Sequence, residues 1–66
     1  MASLLLTPNI ARPDDLYDRL ISLHEGLGDQ QSAVVNSKLI LLLANHIGDE
    51  AVIMEAIGHA RRETIR

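Results

Sequence analysis

Apolar residues recur along this chain with the period of an α-helix in three separate segments. The first, about residues 13–26, carries leucine and isoleucine at spacings of three and four, which gives one apolar face. The third, about residues 50–64, has a similar stripe that includes Val52, Ile53 and Ala56. The second, about residues 30–47, contains six consecutive apolar residues from Leu39 to Ala44. The pattern predicts an all-α fold.

Residues that start and stop helices lie between these segments. Pro13 suits the first turn of a helix, where its missing N–H would be unpaired anyway. Gly26 and Gly28 are expected to end that helix, Asp29 to cap the second, and Gly48 with Asp49 to separate the second from the third. Such short connections make consecutive helices antiparallel neighbours. We therefore predict a three-helix antiparallel bundle with the second helix in the middle.

The first eleven residues lack helical periodicity and include Pro8. We interpret residues 1–11 as an extended N-terminal arm and residues 12–66 as the helical domain. Three adjacent leucines, Leu4 to Leu6, lie on this arm and would promote aggregation if they stayed exposed. The arm is therefore expected to dock on its own core or on a second copy.

The leucine-rich run of the middle helix predicts an oligomer. At 100° per residue its apolar side chains point all around the axis, and two neighbouring helices can each cover roughly a third of that circumference. A homodimer is the first expectation; closure of the monomer by its own arm and binding of a non-identical partner remain open. The candidate interface residues are Leu4, Leu5, Leu6, Leu39, Leu42 and Leu43.

Composition narrows the function classes. The chain has 66 residues, no cysteine, a formal charge of −3 and Tyr17 as its one aromatic residue. Stacking side chains and positive charge are what nucleic-acid binding usually needs, so no nucleic-acid partner is expected. The run from Leu39 to Ala44 is far shorter than the roughly 20 residues that cross a bilayer. We expect a cytoplasmic protein with no membrane partner.

The polar residues support a structural role more than a chemical one. The three histidines occur without the spacings typical of metal sites, and the serines have no base-and-orienter arrangement, so neither a metal, a cofactor nor a catalytic residue is predicted. One candidate polar cluster forms where the second helix ends near the start of the first: Tyr17, Asn45, His46 and Asp49. It is expected to cap and fix the turn; the alternative is a binding or proton-handling site.

Several motifs together resemble a known family. They are Asn9, Pro13-Asp14, Tyr17, His24-Glu25-Gly26-Leu27 and the segment from Leu39 to Asp49. On these residues the chain resembles the small proteobacterial family catalogued as domain of unknown function 2783. Where an arginine is expected before the leucine run, this chain has Lys38, which keeps the charge but weakens a two-pronged contact with a carboxylate.

The resemblance implies a short cytoplasmic protein, often encoded beside flavin-dependent enzymes of aromatic catabolism, with no established activity. We therefore expect a small non-enzymatic helical accessory protein, a homodimer that associates with a larger catabolic enzyme. The alternative is a small enzyme or ligand-binding protein that uses the candidate polar cluster.

Overall fold

The computed structural model describes residues 3–65, which form three α-helices and, within that range, no strand. The helices are α1 (Pro13–Ser22), α2 (Asp29–Ile47) and α3 (Glu50–Thr64). Residues 3–12 precede them without helix or strand. The prediction of an all-helical chain with three helices is confirmed. Residues 1, 2 and 66, at the ends of the predicted arm and helical domain, lie outside the described residues.

Helix α1 ends four residues earlier than the predicted end at residue 26. Its last residue is Ser22, after which the backbone tightens. The N–H groups of His24 and Glu25 donate to carbonyls three residues back, at 3.1 Å each, in place of the four-residue spacing of an α-helix. Gly26 follows with a φ of 75° and turns the chain toward α2. The glycine ends the turn rather than the helix.

Helix α2 begins at the predicted cap residue, one residue earlier than expected. Gly28 is its N-cap, because the Gly28 carbonyl accepts the N–H of Ser32 at 2.9 Å. The side-chain oxygen of Gln31 in turn accepts the N–H of Gly28 at 3.2 Å. The expectation that Asp29 is the cap is therefore corrected. Asp29 is the first helical residue, where its carboxylate is still favoured by the positive end of the helix dipole.

The junction between α2 and α3 follows the prediction. Gly48 adopts the left-handed conformation with a φ of 70°, and its N–H donates to the carbonyl of Ala44 at 2.9 Å. Asp49 then caps α3, since its carboxylate accepts the N–H of Val52 at 3.3 Å. These two adjacent residues end one helix and start the next.

The three helices do not enclose a core within residues 3–65. No described residue is buried, and no two helices share an extended contact. The chain exposes 6181 Å², whereas a compact protein of its mass is expected to expose about 4,200 Å². Its radius of gyration is 13.5 Å, against about 11 Å for a compact chain of this length. The packed bundle stays a prediction for the assembled protein.

Candidate interaction surface

Helix α2 carries the most prominent exposed apolar side chains. Leu41 and Leu42 are 69% and 70% exposed, and Ile40 is 63% exposed. Val34, Leu43 and Ile47 are each more than half exposed on the same helix. Hiding one such side chain from water is worth roughly 1.5–3 kcal/mol, so leaving six in water is a large unused free energy for so small a chain.

The six candidate interface leucines divide into two groups. Leu4 on the arm and Leu39 on α2 are half-buried by the chain itself. The remaining four are exposed: Leu5, Leu6, Leu42 and Leu43. Exposure leaves these four available to a partner, and their role in an interface stays a prediction.

Two apolar faces of α2 point in nearly opposite directions. We call the first the lysine face; it consists of Val34, Lys38, Leu41 and Leu42. The second, the neutral face, consists of Ile40, Leu43 and Ile47. At 100° per residue the two faces are separated by about 190° around the helix axis. One neighbouring helix therefore cannot cover both.

Lys38 lies between two shallow grooves along the lysine face. One groove of about 440 Å³ runs from Leu27 past Val34 to Lys38. A second groove, of about 380 Å³, runs from Lys38 past Leu42 to Asn45. The two grooves share Lys38, which places one positive charge between two apolar stretches.

The remaining helices each expose a smaller apolar strip with a different charge. On α1, Tyr17 and Ile21 are 64% and 56% exposed, and Asp14 and Asp18 flank them at helical spacing. We call these four residues the acidic edge. On α3, the exposed Met54 and Ile57 share their face with Glu50 and Arg61. The α1 strip thus carries two negative charges, whereas the α3 strip carries one charge of each sign.

The ion pair on α1 does not involve the charged residues of the acidic edge or the lysine face. The Arg12 Nε lies 3.8 Å from the Asp15 Oδ2, and both side chains are exposed. Within residues 3–65, Asp14, Asp18 and Lys38 take part in no ion pair. The carboxylates of the acidic edge and the ammonium of the lysine face are therefore free to meet charges on another molecule.

The candidate polar cluster is not joined by hydrogen bonds. Tyr17 and His46 are exposed on different helices, and Asn45 lines the second groove beside Lys38. Asp49 is half-buried and its carboxylate is engaged as the cap of α3. Within the described residues no two of the four residues share a hydrogen bond. Asp49 has the capping role; a joint site stays a prediction.

The described residues contain neither a metal-binding group nor a membrane-spanning helix. No group of three or more His, Asp or Glu side chains in residues 3–65 is arranged to hold a metal ion. None of α1, α2 and α3 combines the length and the apolar character that crossing a bilayer requires.

Sequence reasoning missed Lys38, Val34 and Leu41 as surface residues. The sequence does contain a signal for the lysine face, because Asp29 and Lys38 are the only Asp, Glu, Lys or Arg residues between positions 29 and 47. A single lysine inside an apolar helix divides its circumference into a charged and an uncharged face. The consecutive leucines obscured this division, since they suggest one uniformly apolar helix.

The fold and this surface define a small all-helical protein with large unpartnered apolar faces. The sequence profile of a family described as protein of unknown function (DUF2783) matches residues 4–62, which is most of the chain. The chain belongs to this family, as the resemblance of its motifs indicated. Comparison with curated proteins gave no match, and comparison with solved structures gave none either.

Proposed function

We propose that this protein is a non-enzymatic helical interaction protein that completes its hydrophobic core by associating with other chains. The first partner is a second copy, so that the working form is a homodimer in which the helices pack as a bundle. The second partner is a larger enzyme of aromatic catabolism, to which the dimer is an accessory protein in the cytoplasm.

The amount of exposed surface is the observation that carries this proposal. The chain exposes 6181 Å², about 2,000 Å² more than a compact protein of its mass. If each of two copies hid that excess, the interface would total about 4,000 Å², within the range of about 2,000–5,000 Å² for permanent dimers. The surplus is thus of the size that a stable self-association removes.

Sedimentation of the full chain tests the homodimer. The expected result is a species of twice the 7.3 kDa chain mass at micromolar concentration, with helical circular dichroism and a cooperative thermal transition. A compact, cooperatively melting species of single-chain mass across the same concentrations would overturn the proposal, because the chain would then have hidden its own apolar surface.

The accessory role needs a separate experiment. The purified protein would be mixed with a flavin-dependent enzyme of aromatic catabolism, the class that the family resemblance implies, and the mixture examined by size-exclusion chromatography and thermal denaturation. We expect co-elution and a higher melting temperature of the enzyme, since a ligand that binds the folded state stabilises it. Separate elution together with an unchanged melting temperature would contradict the accessory role and leave the homodimer standing.

A further inference from the structure

The lysine face of α2 restricts what can cover it. A symmetric dimer that packs two lysine faces together would bring one Lys38 close to the other, and like charges in an interface are unfavourable. An apolar surface with a positive charge at its centre is matched by an apolar surface with negative charge at its margin. The occupant should therefore carry exposed apolar side chains beside carboxylates.

The chain itself contains such a surface on α1. In the acidic edge, the exposed Tyr17 and Ile21 lie beside Asp14 and Asp18 on the same side of the helix. The exposed strip of α3 fits less well, because it carries Arg61 as well as Glu50 and so offers no net negative charge to Lys38. Among the three helices, α1 alone presents exposed carboxylates with an exposed aromatic side chain.

We propose that the lysine face of α2 is the docking site for α1 of a second copy, with Asp14 and Asp18 of that copy beside Lys38. This inference rests on the proposed function, since it specifies how the homodimer forms. Tyr17 and Ile21 of the second copy fill the apolar stretches on either side of the lysine. The exchange is reciprocal, so each copy donates one α1 and receives one.

The dimensions of the two surfaces agree. The acidic edge extends from Asp14 to Ile21, which is about 10 Å along a helix, and the lysine face extends from Val34 to Leu42, about 12 Å. Reciprocal exchange between two copies closes on itself and leaves no open end. It also removes five exposed apolar side chains per copy from water: Tyr17, Ile21, Val34, Leu41 and Leu42.

Charge reversal with rescue tests the arrangement. Lys38→Glu and Asp18→Lys would each be made in the full chain, together with the double variant, and the dimer dissociation constant measured by sedimentation. Each single change places like charges together and should raise the dissociation constant at least about tenfold. The double variant restores opposite charges and should return the constant to within about threefold of the original protein.

A matched control and a neutral variant separate the alternatives. Asp15→Lys reverses a charge on the same helix outside the acidic edge and should leave the dissociation constant unchanged. Lys38→Met should weaken the dimer if the lysine meets carboxylates, whereas it should tighten a dimer in which two lysines face each other. Circular dichroism of every variant verifies that the helices are retained.

The outcomes distinguish this inference from the function it rests on. A dimer that is indifferent to Lys38→Glu and Asp18→Lys, or whose double variant shows no rescue, would overturn the exchange of α1 while the homodimer stands. Tighter association of Lys38→Met would favour direct packing of two α2 helices and would overturn the exchange as well. If the original protein is a monomer at every concentration measured, both proposals are overturned.

Discussion

Two glycines illustrate how residue-scale geometry decides the effect of the same substitution. Gly48 has a φ of 70°, and a Cβ added there would meet only the Asn45 carbonyl oxygen at 3.9 Å. Gly58 lies within α3, and a Cβ there would meet the Arg62 Nη1 at 3.2 Å. At Gly48 an added Cβ would strain the left-handed backbone. At Gly58 it would only displace the flexible side chain of Arg62.

We expect Gly48→Ala and Gly58→Ala to change the free energy of unfolding in opposite directions. A left-handed conformation costs an alanine about 1–2 kcal/mol, so Gly48→Ala should destabilise by that amount. Alanine is about 1 kcal/mol better than glycine inside a helix, and the exposed Arg62 can move aside, so Gly58→Ala should stabilise by up to that amount. Urea denaturation at one fixed protein concentration measures both.

The two variants are controls for each other, because the added methyl group is identical. If both variants lost stability, Gly58 would be needed for close packing, although it is partly exposed in the structure. No loss in Gly48→Ala would show that the turn relaxes to another conformation without cost.

The capping carboxylate of α3 gives a second residue-scale prediction. Asp49→Ala removes the acceptor of the Val52 N–H and should destabilise the protein by about 1 kcal/mol, while Asp49→Asn keeps an acceptor and should cost much less. Thermal denaturation of both variants at equal concentration makes the comparison. Equal losses in the two variants would instead point to the charge of Asp49, as the candidate polar cluster would require.

Residue-scale features of this kind were predictable because they depend on neighbours in sequence. Gly48 and Asp49 were identified correctly from their types and from the apolar segments on either side. Asp29 was not the cap, because Gly28 and Gln31 together satisfy the start of α2, and glycine caps through its backbone without a side-chain signal. A cap formed by glycine is therefore hard to locate from sequence to the residue.

At the scale of the elements, periodicity located the helices but overestimated α1. The apolar residues Leu23 and Leu27 continue the helical spacing past Ser22, although the backbone has already tightened into a turn. For α2, the consecutive leucines concealed that one of its two apolar faces carries Lys38 and the other carries no charge. The spacing of apolar residues shows which side chains share a face of an ideal helix, but it does not show where the helix ends.

The lysine face gives an element-scale prediction that does not depend on charge. Leu42→Gln replaces a side chain that is 70% exposed on α2, and Met54→Gln replaces one that is 66% exposed on α3. If the lysine face is the interface, Leu42→Gln should raise the dimer dissociation constant by on the order of a hundredfold or more, because each leucine is worth about 2 kcal/mol and two are lost per dimer. Sedimentation equilibrium measures the constant.

Met54→Gln is the matched control, since it changes a side chain of similar exposure and should leave the dissociation constant unchanged. Equal weakening by both substitutions would place α3 in the interface too. Weakening by Met54→Gln alone would move the interface away from α2 altogether.

At the scale of the whole molecule, the sequence predicted an excess of apolar surface but not its distribution. The chain hides about 40% of the surface that it would expose when unfolded, whereas a domain of this size usually hides about 60%. The number of leucines on the middle helix was enough to predict that two neighbouring helices could not cover all of its apolar surface. Which helix covers which face depends on contacts between distant residues, and the local signals of this chain carry no information on those contacts.

A chain that completes its core by self-association should have a melting temperature that depends on its concentration. A tenfold higher concentration favours a folded dimer over two unfolded chains by about 1.4 kcal/mol. For a protein of this size, that corresponds to a rise of about 5 °C in melting temperature. Differential scanning calorimetry over two decades of concentration measures the slope.

The dependence of melting temperature on concentration also distinguishes two cases: chains that fold only when they associate, and chains that are already folded and stable before they dock. Leu42→Gln should lower the melting temperature relative to that of the original protein at each concentration, because it weakens the dimer to which folding is coupled. A melting temperature independent of concentration in both proteins would mean that a single chain folds stably without a partner. Because no residue between 3 and 65 is buried, the chain by itself lacks the core that such stability would require.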